Sequence, residues 1–371
     1  MILERISILN YKNIVEANLA FAPKVNCLIG NNGMGKTNIL DAIYFLSFTK
    51  SAGNQSDNDV INHNAEFAML QGHYSRRGME EDITLSMQRG RRKQLRRGGK
   101  EYKRLSQHIG LLPLVMISPM DWDLIRGAGE ERRRLMNHII AQGDAEYLDA
   151  LIRYNKALGQ RNAMLREAMS DPILYGTVER QMTEAATCIH TARARWIGEF
   201  SPIFMRYYHA IAGDGEIVDI SYKSHLNEAS MQEILDSNRN RDHIMGYTTH
   251  GTHRDDIELL LGQRPMRKTG SQGQCKTYTI ALRLAQHDFL KRATGITPIL
   301  LLDDIFDKLD ARRVESIISV VSENLFGQIF ITDTNRTHLD DIIARQRGDN
   351  AMFTVENGAV TPLGAGGPAT S

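Results

Sequence analysis

The sequence predicts an α/β fold: a mixed sheet with accessory antiparallel strands, interrupted by an inserted α-helical lobe. Three observations carry that expectation. An apolar run from Val25 to Ile29 leads into a glycine-rich stretch, Gly30-Asn31-Asn32-Gly33-Met34-Gly35-Lys36-Thr37, and then into a helix-forming run from Asn38 to Leu46. A second apolar run, Pro298 to Leu302, ends in two carboxylates, Asp303 and Asp304. Between them, residues 125–245 carry apolar side chains at helical rather than strand spacing.

Taken in order, Ile2, Leu3, Ile6 and Ile8 alternate with polar neighbours, a strand signal, and a second strand is expected over Ala17 to Phe21. Two antiparallel strands ahead of the glycine-rich loop suit an accessory β-layer better than a plain βαβ unit. The loop itself fits G-x-x-x-x-G-K-[ST] with a strand before it and a helix after it, the context that makes it a P-loop. Its glycines let backbone N–H groups turn inward, and the helix start adds partial positive charge where phosphate would sit. Lys36 would reach the β- and γ-phosphates and the Thr37 hydroxyl would ligate Mg²⁺, so ATP and Mg²⁺ are the expected cofactors.

Strand-like runs follow at Ala68 to Tyr74 and Ile83 to Met87, then a run of cations: Arg89, Arg91, Arg92, Lys93, Arg96, Arg97, Lys100, Lys103 and Arg104, opposed only by Glu101. Gly90 and Gly98-Gly99 punctuate it as hairpin turns. It reads either as a solubilising surface or as a contact to DNA phosphates through Arg91, Arg92, Lys93, Arg96 and Arg97. Tyr102 stands alone, so no comb of aromatics for base stacking is signalled.

Leu111 to Ile117 reads as a buried strand ending at Ser118-Pro119-Met120-Asp121. Glu130-Glu131-Arg132-Arg133-Arg134 then opens a helix whose apolar stripe includes Leu148, Leu151, Leu158 and Leu165; Asp171-Pro172 breaks it, and a second long helix is expected from about Gly176 to Tyr208. The stripe is expected to pack internally. The three arginines either read DNA or neutralise nearby glutamates. Strands return at Ile217 to Tyr222 and Ile257 to Leu261. His250-Gly251-Thr252-His253-Arg254-Asp255-Asp256 between them is a metal site or a loop ordered by Arg254 on a carboxylate, in an order that fits no zinc spacing.

Lys268-Thr269-Gly270-Ser271-Gln272-Gly273-Gln274 precedes a helical run from Cys275 to Lys291, a second anion cradle at a helix start. The run ending in Asp303 and Asp304 is then a Walker B strand: Asp303 would hold Mg²⁺ and Asp304 would sit where a base polarises water. Lys36, Asp303 and Asp304 form the expected catalytic set. Phe306-Asp307-Lys308-Leu309-Asp310, a helix from Ala311, and a strand over Gln328 to Thr334 complete the pattern; residues 358–371, rich in Gly, Ala and Pro, are expected to be a disordered tail.

Composition bounds the class. The 371 residues, 42% hydrophobic and 24% charged with a net charge of +1, describe an ordinary globular chain of two or three domains. Cys27, Cys188 and Cys275 lack metal-ligand spacing and suggest no disulfide framework. No apolar stretch is long enough to span a bilayer and the first residues show no signal-peptide pattern, so the cytoplasm and no membrane are expected. A Ser271 cradle that its own P-loop does not need makes sense if it covers nucleotide held by a second copy. That is the arrangement of ABC-type ATPase heads, in which a two-fold dimer sandwiches ATP.

At this point the residues closely resemble the RecF family of bacterial DNA gap-repair ATPases. The match runs through Ile8-Leu9-Asn10-Tyr11-Lys12-Asn13, Gly30 to Asn38, Leu112 to Pro119, Arg132-Arg133-Arg134, His253-Arg254-Asp255-Asp256, Gly270 to Gln274, and Leu302 to Phe306 with Leu309-Asp310. The resemblance implies an ABC-type head, residues 1–124 and 246–357, with a helical lobe over 125–245. It implies an ATP-dependent homodimer, slow hydrolysis, and binding to double-stranded and gapped DNA in recombinational repair and fork maintenance. RecO- and RecR-like partners that help load recombinase are implied too. By the same carry-over, Gly30, Asn31, Asn32, Gly33, Met34, Gly35, Lys36, Thr37 and Asn38 bind ATP, and Ser271, Gly273 and Gln274 cap it in trans. The chain departs from the family at Thr252, Cys275 and the stretch Phe48 to Gly53, and Ser118 to Asp121 holds no Q-loop glutamine. The competing readings are an SMC-type chromosome ATPase, which needs far longer helical arms, and the ATP-binding subunit of an ABC transporter, which needs a shorter insertion.

Overall fold

In a computed structural model the chain forms two compact units, Met1–Asp121 with Ala210–Ala212 and Leu282–Ser371, and Trp122–His209 with Gly213–Ala281. The residues described are 1–53, 55–306, 309–323, 326–334, 336–345 and 349–363.

The first unit opens with β1 (Ile2–Tyr11), β2 (Ile14–Ala20), β3 (Val25–Ile29) and α1 (Lys36–Phe48), followed by β4 (Phe67–Arg76), β5 (Met79–Gln88), β6 (Gln94–Arg97), β7 (Lys100–Glu101) and β8 (Leu114–Ile117). The second unit carries α2 (Trp122–Arg126), α3 (Gly129–Gly143), α4 (Ala145–Arg166), α5 (Pro172–Ala212), β9 (Val218–Lys223), α6 (Met231–Ser237), α7 (Arg239–Met245), β10 (Asp256–Leu261), β11 (Arg264–Pro265) and α8 (Met266–Thr269). α9 (Gln272–Thr294) leads back into the first unit, which ends with β12 (Ile299–Asp303), α10 (Ala311–Ser322), β13 (Ile329–Asp333), α11 (Arg336–Arg345), β14 (Asn350–Glu356) and β15 (Ala359–Leu363).

Two six-stranded sheets build the first unit, in the orders β2-β1-β4-β5-β6-β7 and β15-β14-β3-β13-β12-β8. The first is antiparallel throughout. In the second, β14, β3, β13, β12 and β8 run parallel and only β15 reverses. Parallel strands covered on both faces read as continuous apolar runs, which is why β3, β12 and β13 lack alternation. α1 is apolar nearly all round, and such a helix must be buried. Its Ile39, Leu40, Ile43, Phe45 and Leu46 share one core with Leu3, Ile6, Ile8, Leu70 and Leu85 of the antiparallel sheet and with Leu28, Leu301 and Phe330 of the parallel one.

In the second unit the expected first helix is two. Asp144 ends α3 and caps α4, its carboxylate accepting from Tyr147 N at 2.9 Å. Asp171 caps α5 with Pro172 in the first turn, where a missing N–H costs nothing. Trp196, Phe200, Phe204 and Tyr208 of α5 pack with Tyr278 of α9. Arg161 is fully buried between Glu179 (3.0 Å) and Asp242 (2.7 Å), with Thr248 Oγ1 at 2.8 Å.

One boundary differs and one expectation is corrected. The second compact unit runs to Ala281, beyond the expected 245, and takes in β10, which pairs along its whole length with β9. The tail expected from 358 begins instead as a strand: Asn357 (φ 49°) and Gly358 (φ 83°) form a tight turn that folds β15 back on β14. Residues 364–371 lie outside the described residues, as do Asp307 and Lys308. Among the described residues no helix is long and apolar enough to cross a membrane.

Candidate nucleotide site

In an open α/β sheet, ligands bind where the parallel strands end. β3 delivers the P-loop to that edge, and its neighbour β13 separates it from β12, which delivers Asp303. Glycine is required at two positions by close approach. A Cβ on Gly30 would lie 2.4 Å from the Val355 carbonyl oxygen, and one on Gly35 (φ 111°) would lie 2.9 Å from the Asn13 amide. Gly35 also starts α1.

Lys36 is buried, its ammonium donating to the carbonyls of Gly30 (2.7 Å) and Asn31 (3.1 Å) inside the loop. Thr37 Oγ1 reaches both carboxylate oxygens of Asp303 at 3.0 Å, across a sequence separation of 266. Thr332 Oγ1, at the end of β13, donates to Asp303 Oδ1 at 2.7 Å and accepts from Asp304 N at 3.0 Å. Burial raises the Asp303 pKa above the usual carboxylate value and nearby Asp304 adds to this, while the bonds from Thr332 and Thr37 and the charge of Lys36 oppose it. A buried carboxylate held by hydroxyls rather than by a cation, with a threonine alcohol beside it, is a hard-oxygen donor set of the kind Mg²⁺ takes. Asp304 adopts φ 46°, a left-handed conformation that costs a non-glycine residue about 1 kcal/mol and is found preferentially at functional sites.

The P-loop has an outer wall that the motif does not name. Asn13, in the β1–β2 turn, accepts from Asn38 Nδ2 (2.7 Å) and donates to Met34 O (3.4 Å). Gly358 N donates to the same carbonyl at 2.8 Å, and Asn357 N contacts Met34 Sδ at 3.4 Å. Asn357-Gly358 is a strong short-range hairpin signal, so the sequence could have revealed this contact. Asn13 carries no such signal.

In the second unit, Ser271 is exposed at the start of α9 and forms a capping box: Ser271 Oγ accepts from Gln274 N (3.2 Å) and Gln274 Oε1 from Ser271 N (2.8 Å). Gln274 Nε2 donates to Glu216 Oε1 at 2.8 Å, so its amide is already engaged while Gly273 is half-buried.

The other candidates resolve into internal pairings. Asp255 is buried against Arg193 (2.6 Å) and Tyr222 OH (2.5 Å), Asp256 is held by a fork from Arg132 (2.7 and 2.8 Å), and Arg133 donates to Asp255 O. Arg134 pairs with Glu130 and Glu131. These pairings, not Arg254, order the loop, and Arg254 lies over the Tyr247 ring. His253 lies between Tyr154 OH and Thr248 O, and burial pulls its pKa down to about 4. Among the described residues no group of His, Cys, Asp and Glu could hold a metal on its own. In the basic run Lys93 is tied to Asp57 (2.7 Å) and the exposed Arg97 forks onto Glu81, while Arg91, Arg92 and Arg96 are exposed outside these two pairs.

Comparison with known proteins agrees with this geometry. The model of the RecF/RecN/SMC N terminal domain matches residues 2–358. The DNA replication and repair protein RecF of Parabacteroides distasonis is 53% identical over 363 residues, covering 98% of this chain and 100% of that one. RecF of Porphyromonas gingivalis is 49% identical over 362 residues, covering 97% and 100%. A solved structure of the recombination mediator protein RecF with ATP, of the RecFOR pathway, superposes with a TM-score of 0.87 at 26% identity, covering 98% of each chain. The Smc head domain of Pyrococcus furiosus shares the fold, with a TM-score of 0.58 at 17% identity over 98% of this chain and 96% of that one. A P-loop and Walker B strand on an SMC-like head, matched from end to end at about half identity, place this chain in the RecF family.

Proposed function

We propose that this chain is an ATP-dependent DNA-binding protein of DNA replication and repair, in which nucleotide closes two copies into a pair that holds DNA. The observation that carries the reading is the meeting of Thr37 with Asp303 beside a buried P-loop lysine. Gly30 to Asn38 bind the phosphates. Thr37 and Asp303 would hold Mg²⁺, which would supply charge neutralisation at the phosphates. Ser271 and Gly273 present hydroxyl and backbone to the γ-phosphate on the other copy, while Gln274 holds Ser271 in place. The exposure of Ser271 at a helix start supports this, since such a terminus is built for anions.

Asp304 is the residue placed to polarise water. It is one methylene shorter than glutamate, which favours slow turnover and a clamp governed by nucleotide state. Arg91, Arg92 and Arg96 contact DNA phosphates. Gapped DNA is the preferred substrate, and repair proteins of the kind that act with RecF in the RecFOR pathway are the expected partners.

The reading is tested by measuring binding to gapped, double-stranded and single-stranded DNA with and without ATP. ATP should tighten binding, most on gapped DNA. Affinity indifferent to ATP on every substrate would contradict it.

A further inference from the structure

The turn of chain that follows the basic hairpin encloses a groove of ≈ 400 Å³, lined by Arg92, Lys93, Gln94, Leu95, Glu101, Tyr102, Lys103 and Leu105. We propose that this groove is a subsite for one unpaired nucleotide of a single-stranded DNA segment, with the base against Tyr102 and its flanking phosphates on Arg92 and Lys103. The inference rests on the DNA-binding reading above and specifies what the hairpin recognises.

The groove is layered. Its floor is apolar: Leu95 is buried, and Tyr102 and Leu105 pack against the core of the first unit. Its rim is cationic, with Arg92 and Lys103 both exposed. Lys93 is fixed in the wall by Asp57, and its ammonium also lies 5.2 Å from the Phe45 ring centre. The one carboxylate, Glu101, stands opposite Arg96 in the β6–β7 pairing. An apolar aromatic floor beneath a cationic rim matches a flat base joined to phosphates, and the volume falls in the usual range for small-ligand pockets, about 300–1,000 Å³.

The ring is held in place before any ligand arrives. Tyr102 N donates to Leu95 O at 2.9 Å. Its hydroxyl donates to His108 Nδ1 at 3.2 Å, and the buried His108 donates from Nε2 to Leu46 O at 2.7 Å. That chain of bonds ends on α1 and removes the ring's rotational freedom, so stacking loses little entropy. A base inside a duplex is stacked on both sides and cannot reach the floor, whereas an unpaired base can. The rim arginine and lysine serve either kind of DNA, through phosphate alone. A single anchored aromatic is enough for one base; the absence of an aromatic comb in the sequence concerns long stacked strands only.

The test uses the full chain, a fluorescein-labelled oligothymidylate and a duplex of equal length, read by anisotropy. Tyr102→Leu should weaken single-strand binding about tenfold, within the range of one base–aromatic stack, and leave duplex binding within about twofold. Tyr102→Phe, which keeps the ring, should stay close to the parent on both. Arg92→Glu should weaken both. An oligothymidylate carrying one 2-aminopurine gives a readout that needs no variant: its fluorescence should be quenched on binding as the base stacks. Unchanged single-strand affinity in Tyr102→Leu, equal loss on both DNAs, a Tyr102→Phe loss as large as that of leucine, or no quenching would overturn the subsite. If Arg92→Glu also has no effect on the duplex, the DNA reading of the hairpin fails with it; if it does, only the subsite fails.

Discussion

Asn13 is the side chain whose removal says most about how the P-loop is held. It bonds Asn38 on α1 and the Met34 carbonyl, and its amide fills the space a Cβ on Gly35 would occupy. It touches the loop rather than the phosphates, so it is a positioning residue. Asn13→Ala forfeits two hydrogen bonds of about 1 kcal/mol each and should raise the Kd for a fluorescent ATP analogue roughly tenfold, with the thermal midpoint lowered by only a few degrees. An unchanged Kd would remove Asn13 from the site. Three histidines shielded by the fold, His108 and His287 fully buried and His253 half-buried, give a second residue-scale prediction. His108, His253 and His287 have pKa values lowered by burial from 6.5 to about 4. Between those values the unfolded chain binds the protons that the folded chain refuses. Stability is therefore complete above pH 6.5 and lost as pH falls towards 4, by on the order of 3 kcal/mol per histidine. Urea midpoints should fall across that window, and His287→Phe should flatten the slope; an identical slope would mean His287 titrates normally in the fold.

At the scale of elements, charge decides two outcomes. In the helical lobe Arg161 holds Glu179 and Asp242 in a site closed to water. Arg161→Leu leaves the buried Asp242 without its cation and Glu179 with Arg239 alone, and should cost about 3–5 kcal/mol, read as a lower urea midpoint; a loss below 1 kcal/mol would show that water reaches the site. In the basic hairpin four of the five candidates, Arg91, Arg92, Arg96 and Arg97, are exposed, but Arg97 serves Glu81 and the half-buried Lys93 serves Asp57, which leaves Arg91, Arg92 and Arg96 for phosphate. Reversing those three should flatten the slope of log affinity against log salt on duplex DNA by about 0.9 for each phosphate no longer neutralised. An unaltered slope would make the hairpin a solubilising surface. Sequence could display the cations but not their partners, because both acids lie far from them along the chain. The break at Asp144 was hidden for the opposite reason: it is a local cap on Tyr147 N, three residues on, inside a run whose apolar spacing continues across it.

Over the whole molecule, the legible parts were those fixed by local pattern. The P-loop, the Walker B strand and the Ser271 helix start are each a short run whose chemistry depends on neighbours in sequence. What the pattern could not show depends on pairing between distant segments. Thr332 becomes a partner of Asp303 only because β13 lies beside β12, and β10 falls in the second unit because it pairs with β9. The strand β15 was missed for another reason: a Gly- and Ala-rich composition masked the Asn357-Gly358 turn. α5, at 41 residues, spans about 60 Å, too short for the arms of a chromosome-structuring machine and too long for a transporter insertion. The central claim is that ATP joins two copies, Lys36 holding it on one and Ser271 covering it on the other. Sedimentation velocity of the parent, Lys36→Ala and Ser271→Arg, each with and without ATP and beside a nucleotide-binding titration, tests that claim most directly. The parent should dimerise with ATP, Lys36→Ala should neither bind ATP nor dimerise, and Ser271→Arg should bind ATP yet remain a monomer; a dimeric Ser271→Arg, or one that no longer binds ATP, would contradict the account.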